Sequence, residues 1–200
     1  FKQLNSDTVG WIYMPGPENI AGVPIDISIV QTTDNDYYLN HSFSKKDNVN
    51  GWVFADYENN MNKLTENRNA VFYGHARSYN MFGGLKDLNV HPDWYNNANN
   101  HFVKITTEKE ETVWQIFSWY ETTIDFYYIQ NRFASDDEYI QFLNTLQAKN
   151  SIRNADGSSV FQTFEFDKDA KIITLSTCKG SNPNNRVAVH AKLVKSRDRG

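Results

Sequence analysis

Short apolar runs of period two, each closed by turn-forming residues, dominate this chain, and only one stretch clearly has the period of a helix. In residues 23–30, Ile25, Ile27 and Ile29 alternate with Asp26 and Ser28 behind Pro24, the pattern of a half-buried strand. Residues 51–54, 69–75, 101–107, 111–121, 161–166, 171–178 and 186–195 also read as strands, and residues 37–40 extend or follow the first one. Turns are marked by Pro15-Gly16 and by the charged Glu108-Lys109-Glu110, and residues 82–88 read as a short helix. The period then changes. Ser135-Asp136-Asp137-Glu138 is a capping box, in which a hydroxyl and a carboxylate satisfy opposite backbone donors at a helix start. Tyr139, Phe142, Leu143 and Leu146 follow on one face, and the helix is predicted to end near Lys149-Asn150. Many short strands with one clear helix predict a mainly β fold, a closed or nearly closed β-barrel with helical additions.

The length of 200 residues suits a single domain, residues 1–200, with a sizeable core. Its 13 Phe, 11 Tyr and 5 Trp favour strands and fill such a core. A net charge of −4 argues against a nucleic-acid partner, and the basic residues of 192–199 read as a solvated tail. No apolar stretch is long enough to span a membrane.

Cys178 is the only cysteine, so no internal disulfide can form. It ends an apolar strand just before the polar turn of residues 179–185, where a rigid element holds a thiol that can still reach solvent. That placement suits a nucleophile, although a lone cysteine also serves as a small core hydrophobe. A catalytic thiol needs a partner that yields thiolate and later protonates a leaving group, and histidine fits by its pKa. Of the five histidines, His75 ranks first: it ends the run Val71-Phe72-Tyr73-Gly74-His75, with Tyr73 on the same face and Gly74 permitting close approach. His190, in mid-strand, ranks second. Arg186 opens the last strand, where the chain returns from the turn after Cys178, and its guanidinium can donate two hydrogen bonds to a developing oxyanion. There is no CxxC pair, HExxH helix or nucleophile elbow, and Gly83-Gly84 stands alone, so neither metal nor cofactor is predicted.

Thr174-Leu175-Ser176-Thr177-Cys178, with Arg186 after it, resembles the signature of sortases. Residues 186–193, Tyr73-Gly74-His75, Tyr38-Leu39-Asn40-His41-Ser42-Phe43, residues 51–56 and Trp119-Tyr120-Glu121-Thr122-Thr123 with Tyr128-Ile129 are similar to class B of that family, in the right order over most of the chain. The resemblance implies an eight-stranded barrel with an N-terminal helical segment and a helix inserted between the sixth and seventh strands. It implies an extracellular cysteine transpeptidase of the Gram-positive cell surface, held by an N-terminal membrane anchor absent from this chain. Such an enzyme cleaves an NPxTG-like sorting motif of a surface protein between Thr and Gly, then joins the Thr carboxyl to an amine of a peptidoglycan precursor. On this resemblance Cys178 is the nucleophile, His75 the acid and base, and Arg186 the oxyanion and substrate holder. Tyr73, Tyr128, Ile129, Ser176 and Thr177, with Leu39 and Asn40, line the peptide groove. The residue after the cysteine is often acidic in this class; here it is Lys179, whose charge bears on motif preference. A hydrolytic thiol peptidase, a pilin-polymerising sortase and a non-enzymatic peptide- or glycan-binding barrel are the alternatives.

Overall fold

The period-two runs pair into a barrel that closes on itself. The computed structural model describes residues 2–16, 24–78, 81–180 and 182–200. Val23, the expected strand start, and Ser181 of the polar turn lie outside them. The strands are β1 (Thr8–Met14), β2 (Ile25–Val30), β3 (Phe54–Ala55), β4 (Asn69–Tyr73), β5 (Phe102–Thr107), β6 (Glu110–Thr123), β7 (Ile172–Cys178) and β8 (Asn185–Asp198). Their order around the barrel is β1-β2-β3-β4-β7-β8-β6-β5, with β5 pairing back to β1. β2 runs parallel to β3 and β4 parallel to β7; the other neighbours are antiparallel. The long β6–β8 pair carries irregularities at Val113/Trp114 and Ile116/Ser118, which bend it around the barrel.

Alternation along each strand sorts side chains between two compartments. Ile173, Leu175, Val187, Val189 and Ala191 join Ile12, Ile29, Phe72, Ile105 and Trp114 in the barrel interior. Ile172 and Ala188, on the opposite face, pack beneath α2 (Asp136–Ala148) with Phe117, Tyr120, Tyr139, Leu143 and Leu146. A short α1 (Pro92–Tyr95) lies between β4 and β5, and residues Gly83–Val90 form a 3₁₀ helix where a short helix was predicted. At the start of α2, Ser135 Oγ accepts from Glu138 N at 3.1 Å, and Glu138 Oε2 accepts from Ala134 N at 2.6 Å, one residue before the expected partner. α2 falls between the sixth and seventh strands, as the resemblance implies.

Three local expectations are corrected. No helix precedes β1 among the described residues, so the N-terminal helical segment is not found there: residues 2–7 are mainly turns. Asn5 explains this, because its Oδ1 accepts from Asp7 N at 2.9 Å and its Nδ2 donates to Tyr38 Oη and Phe43 O at 2.8 Å, bonds that compete with a helix. Residues 161–166 are not a strand; the backbone of Phe164 is satisfied on both sides by the Gln147 side chain of α2, at 2.8 and 3.0 Å. β1, whose residues were read only up to a turn, completes the barrel instead. Residues 37–40 carry a 3₁₀ turn, Tyr37–Leu39.

Candidate active site

Strand register brings residues from distant parts of the sequence into adjacent rows. Phe54 of β3 pairs with Tyr73 of β4, Tyr73 with Ser176 of β7, and Ser176 with Ala188 of β8. Two residues further along, Cys178 pairs with Arg186. β4 ends at Tyr73, but Gly74 N still donates to Ser176 O at 3.3 Å, so the parallel register carries His75 toward the Cys178 row. Cys178, like Ser176, lies on the strand face opposite Leu175 and Thr177, outside the barrel interior.

These rows floor a cavity of about 350 Å³. His75, Cys178, Arg186, Tyr73, Tyr128, Ile129, Ser176, Thr177 and Leu39 all line it. Asn40 does not; it is exposed, with its backbone N–H and C=O committed to Tyr37 O and Asn48 N. The cavity also takes in residues that the sequence analysis missed, chiefly Asn35, Phe54 and the trio Ile124, Phe126 and Tyr127.

His75 Nε2 lies 2.8 Å from Leu39 O. A carbonyl oxygen only accepts, so Nε2 carries the proton and, in the neutral ring, Nδ1 keeps the free lone pair. Cys178 is half-buried. The Arg186 guanidinium lines the cavity and is held at its mouth by Nη1, which donates to Asn185 O at 3.0 Å and to Pro183 O. Tyr73 Oη donates to Asp56 Oδ2 at 2.8 Å, and Asn35 Nδ2 donates to the same oxygen at 2.9 Å. Burial and the Asp56 carboxylate hold the Tyr73 phenol well above its usual pKa, so it stays protonated. Asp56 is itself buried and fixes this wall; the class B-like run of residues 51–56 contains it without assigning it a role. Tyr128 Oη and Ser176 Oγ share a 2.7 Å hydrogen bond. Burial raises the Tyr128 pKa, and the Ser176 bond and the Arg186 charge oppose that rise. Thr177, only 3 % exposed, has a buried hydroxyl with no hydrogen-bond partner.

The second-ranked histidine is elsewhere. His190 is completely buried, and desolvation lowers its pKa to about 3, so the ring is neutral. It lies between Tyr120 Oη at 2.8 Å and Thr174 Oγ1 at 2.9 Å, and it does not line the cavity. A core histidine with both nitrogens satisfied has no proton to exchange with a substrate. Lys179 is also absent from the lining; its ammonium reaches Lys86 O at 2.6 Å and Glu121 Oε1 at 3.1 Å. Among the described residues, no three or more His, Cys, Asp or Glu side chains are grouped to hold a metal ion.

A thiol, an imidazole and a guanidinium meeting at one end of a closed barrel fit the class of enzymes that transfer acyl groups through cysteine. Residues 19–194 match the family model of the sortase domain. Sortase B of Listeria monocytogenes is 30 % identical over 204 residues, covering 96 % of this chain and 72 % of that protein. The crystal structure of a Bacillus anthracis protein described as similar to sortase B superposes with a TM-score of 0.76 at 35 % identity, covering 100 % of this chain and 81 % of that one. A Staphylococcus aureus sortase B–substrate complex gives a TM-score of 0.78 at 29 % identity, covering 97 % of this chain and 82 % of that one. The chain belongs to the sortase family, the cysteine transpeptidases, and its relatives are sortases B.

Proposed function

We propose that this chain cleaves an NPxTG-like sorting motif between Thr and Gly and transfers the Thr carboxyl to an amine of a cell-wall precursor. The observation that carries this reading is the convergence of His75, Cys178 and Arg186 on one peptide-sized cavity through the β4–β7–β8 register. The thiol proton passes to His75 Nδ1 as Cys178 Sγ adds to the Thr carbonyl carbon, and the electron pair moves to the carbonyl oxygen. The Arg186 guanidinium, always charged, holds that oxyanion. The C–N bond then breaks and His75 gives its proton to the departing Gly amine, leaving a thioester on Cys178. An incoming amine attacks the thioester, His75 takes up a proton, and Sγ leaves. The Leu39 carbonyl on Nε2 supports Nδ1 as the nitrogen that exchanges this proton.

Tyr73, Tyr128, Ile129, Ser176 and Leu39 form the groove for the motif. Among the described residues, none that lines the cavity is acidic, which suits a site that holds an oxyanion. In this reading the protein acts on the extracellular face of the membrane, held by an N-terminal anchor outside this chain; no helix among the described residues is long and apolar enough to cross a membrane.

Mass spectrometry with an NPQTG-type peptide, with and without a glycine-based amine, tests the reading. Wild type gains the mass of the acyl fragment and releases a Thr–amine product, whereas Cys178→Ala does neither. Hydrolysis alone in the presence of amine would make the chain a thiol peptidase. An intact peptide across a motif library would remove the sorting reading.

A further inference from the structure

Lys179 follows the nucleophile directly, yet it takes no part in lining the cavity. Its ammonium is turned to the opposite side. Nζ donates to the backbone carbonyl of Lys86 at 2.6 Å and lies 3.1 Å from Glu121 Oε1 and 3.8 Å from Asp87 Oδ1. Lys86 and Asp87 belong to the Gly83–Val90 3₁₀ helix, and Glu121 lies near the end of β6. The Lys179 backbone is fixed too, its N–H donating to Asn185 O at 3.1 Å, beside the Cys178–Arg186 pair. The chain turns immediately afterwards at Gly180, whose φ of +66° marks the end of regular pairing. The nucleophile therefore stands at the last residue of β7, and the next side chain ties that end to two other elements.

The geometry points to Lys179 as a positioning residue: its ammonium clamps the end of β7 to the Gly83–Val90 helix and to β6, holding Cys178 in register with Arg186. The inference rests on reading Cys178 as the nucleophile. A strand end with a free loop after it frays, and a nucleophile placed there loses attack geometry; small displacements of a reacting group cost large factors in rate. An ammonium with a short carbonyl bond and a carboxylate partner, three-quarters shielded from water, opposes that fraying. The clamp is a charge pair of defined polarity. An acidic side chain at 179 would instead face Glu121 and Asp87 and push the strand end away from them.

Lys179→Met, Lys179→Arg, Lys179→Glu, Glu121→Lys and the double variant Lys179→Glu/Glu121→Lys test this. Two rates are measured across pH: Cys178 alkylation by iodoacetamide, and acyl-enzyme formation with the sorting peptide. The high-pH plateau of each falls about fivefold in Lys179→Met, the rate equivalent of one partly shielded ion pair, and further in Lys179→Glu. Lys179→Arg returns to within about twofold of wild type, the charge swap recovers part of the Lys179→Glu loss by restoring the pair with residue 121, and the KM for the peptide is unchanged throughout. Plateaus in Lys179→Met and Lys179→Glu equal to wild type would overturn the clamp. A moved pH midpoint with an unmoved plateau would overturn it in favour of a direct charge effect on the thiol. A raised KM with unchanged kcat would make Lys179 a peptide contact. Loss of the cooperative melting transition in Lys179→Met would make it a folding residue. A wild type that forms no acyl-enzyme refutes the sorting reading separately, and the alkylation arm still decides the role of Lys179.

Discussion

Replacing Gly51 with alanine should damage the protein twice, once in stability and once in chemistry, through the same atoms. Gly51 has φ +58°, and a Cβ built there would lie 2.4 Å from Tyr38 O, 2.9 Å from Leu39 O and 3.1 Å from His75 Cδ2. The left-handed backbone costs an alanine about 1 kcal/mol. The two carbonyl oxygens must also retreat, since both are backbone atoms and the contacts fall below any normal Cβ approach. Tyr38 O accepts from Trp52 N at 3.0 Å, and Leu39 O accepts from His75 Nε2 at 2.8 Å. Loosening two such bonds costs about 1 kcal/mol each, so Gly51→Ala is expected to lose about 3 kcal/mol in urea denaturation. The ring of His75 loses the acceptor that sets its tautomer, and kcat for acyl transfer falls by about 10–100-fold as the imidazole shifts. Gly157→Ala is the control: its φ of +84° carries the same kind of backbone penalty, but nothing lies within 4 Å of the added Cβ. That variant should lose only about 1 kcal/mol and keep its activity. If Gly51→Ala proves no less stable than Gly157→Ala and turns over normally, the seating of His75 on Leu39 does not depend on this close approach, and the reasoning fails.

The buried neutral His190 sets a pH dependence. With its folded pKa depressed below the unfolded value of 6.5, the unfolded chain binds the extra proton, so stability is full above pH 6.5 and is lost as the pH falls from there toward 3. Between pH 7 and 5 this amounts to about 2 kcal/mol, visible as a falling urea midpoint; His101, also depressed by burial, adds in the same direction, so a His190→Asn variant should show a shallower slope than wild type, and an equal slope would exclude His190 as the source. Thr177→Val removes an unpartnered buried hydroxyl and should raise the stability of the free protein by about 1 kcal/mol in urea denaturation; a loss of stability would contradict this. Ser135→Ala deletes the cap of α2 and should cost about 1 kcal/mol by thermal or chemical melting with kcat unchanged, because α2 packs on the core away from the thiol.

Period and capping chemistry made β2, β4 to β8 and α2 legible in the sequence because these elements satisfy their own backbones and bury one face. Where that condition fails, the reading fails. β1 escaped notice because its aromatic and small residues, Gly10-Trp11-Ile12-Tyr13, show no clean alternation; two of its side chains pack through neighbours supplied by β2 and β5. Gly10 sits there because a Cβ would come within 2.9 Å of Thr106 O on β5, a requirement visible only once the barrel has closed. Residues 161–166 looked like a strand, but Phe161 packs on Trp94 with the interior cluster, Phe164 and Phe166 pack on Phe117 in the compartment beneath α2, and a glutamine side chain takes the place of a neighbouring strand. Aromatic spacing reports burial, and burial alone does not specify a ladder.

The site divides in the same way. Cys178, His75 and Arg186 could each be singled out from a strand end followed by a turn, a local property of the chain. Their convergence is not local: it follows from Tyr73 pairing with Ser176 and from Cys178 pairing with Arg186, and the β4–β7 contact is a parallel pairing across roughly a hundred residues of sequence. Asn35 and the 124–127 wall carry no sequence signal, and Asp56 only its place in the run 51–56, because their work is done by bonds formed after closure. Asp56 accepts from Tyr73 and Asn35, and Ile124 N donates to Asn184 O beside the Arg186 turn. A change at Asp56 or in this wall should therefore alter the shape of the groove while leaving the thiol, imidazole and guanidinium in place.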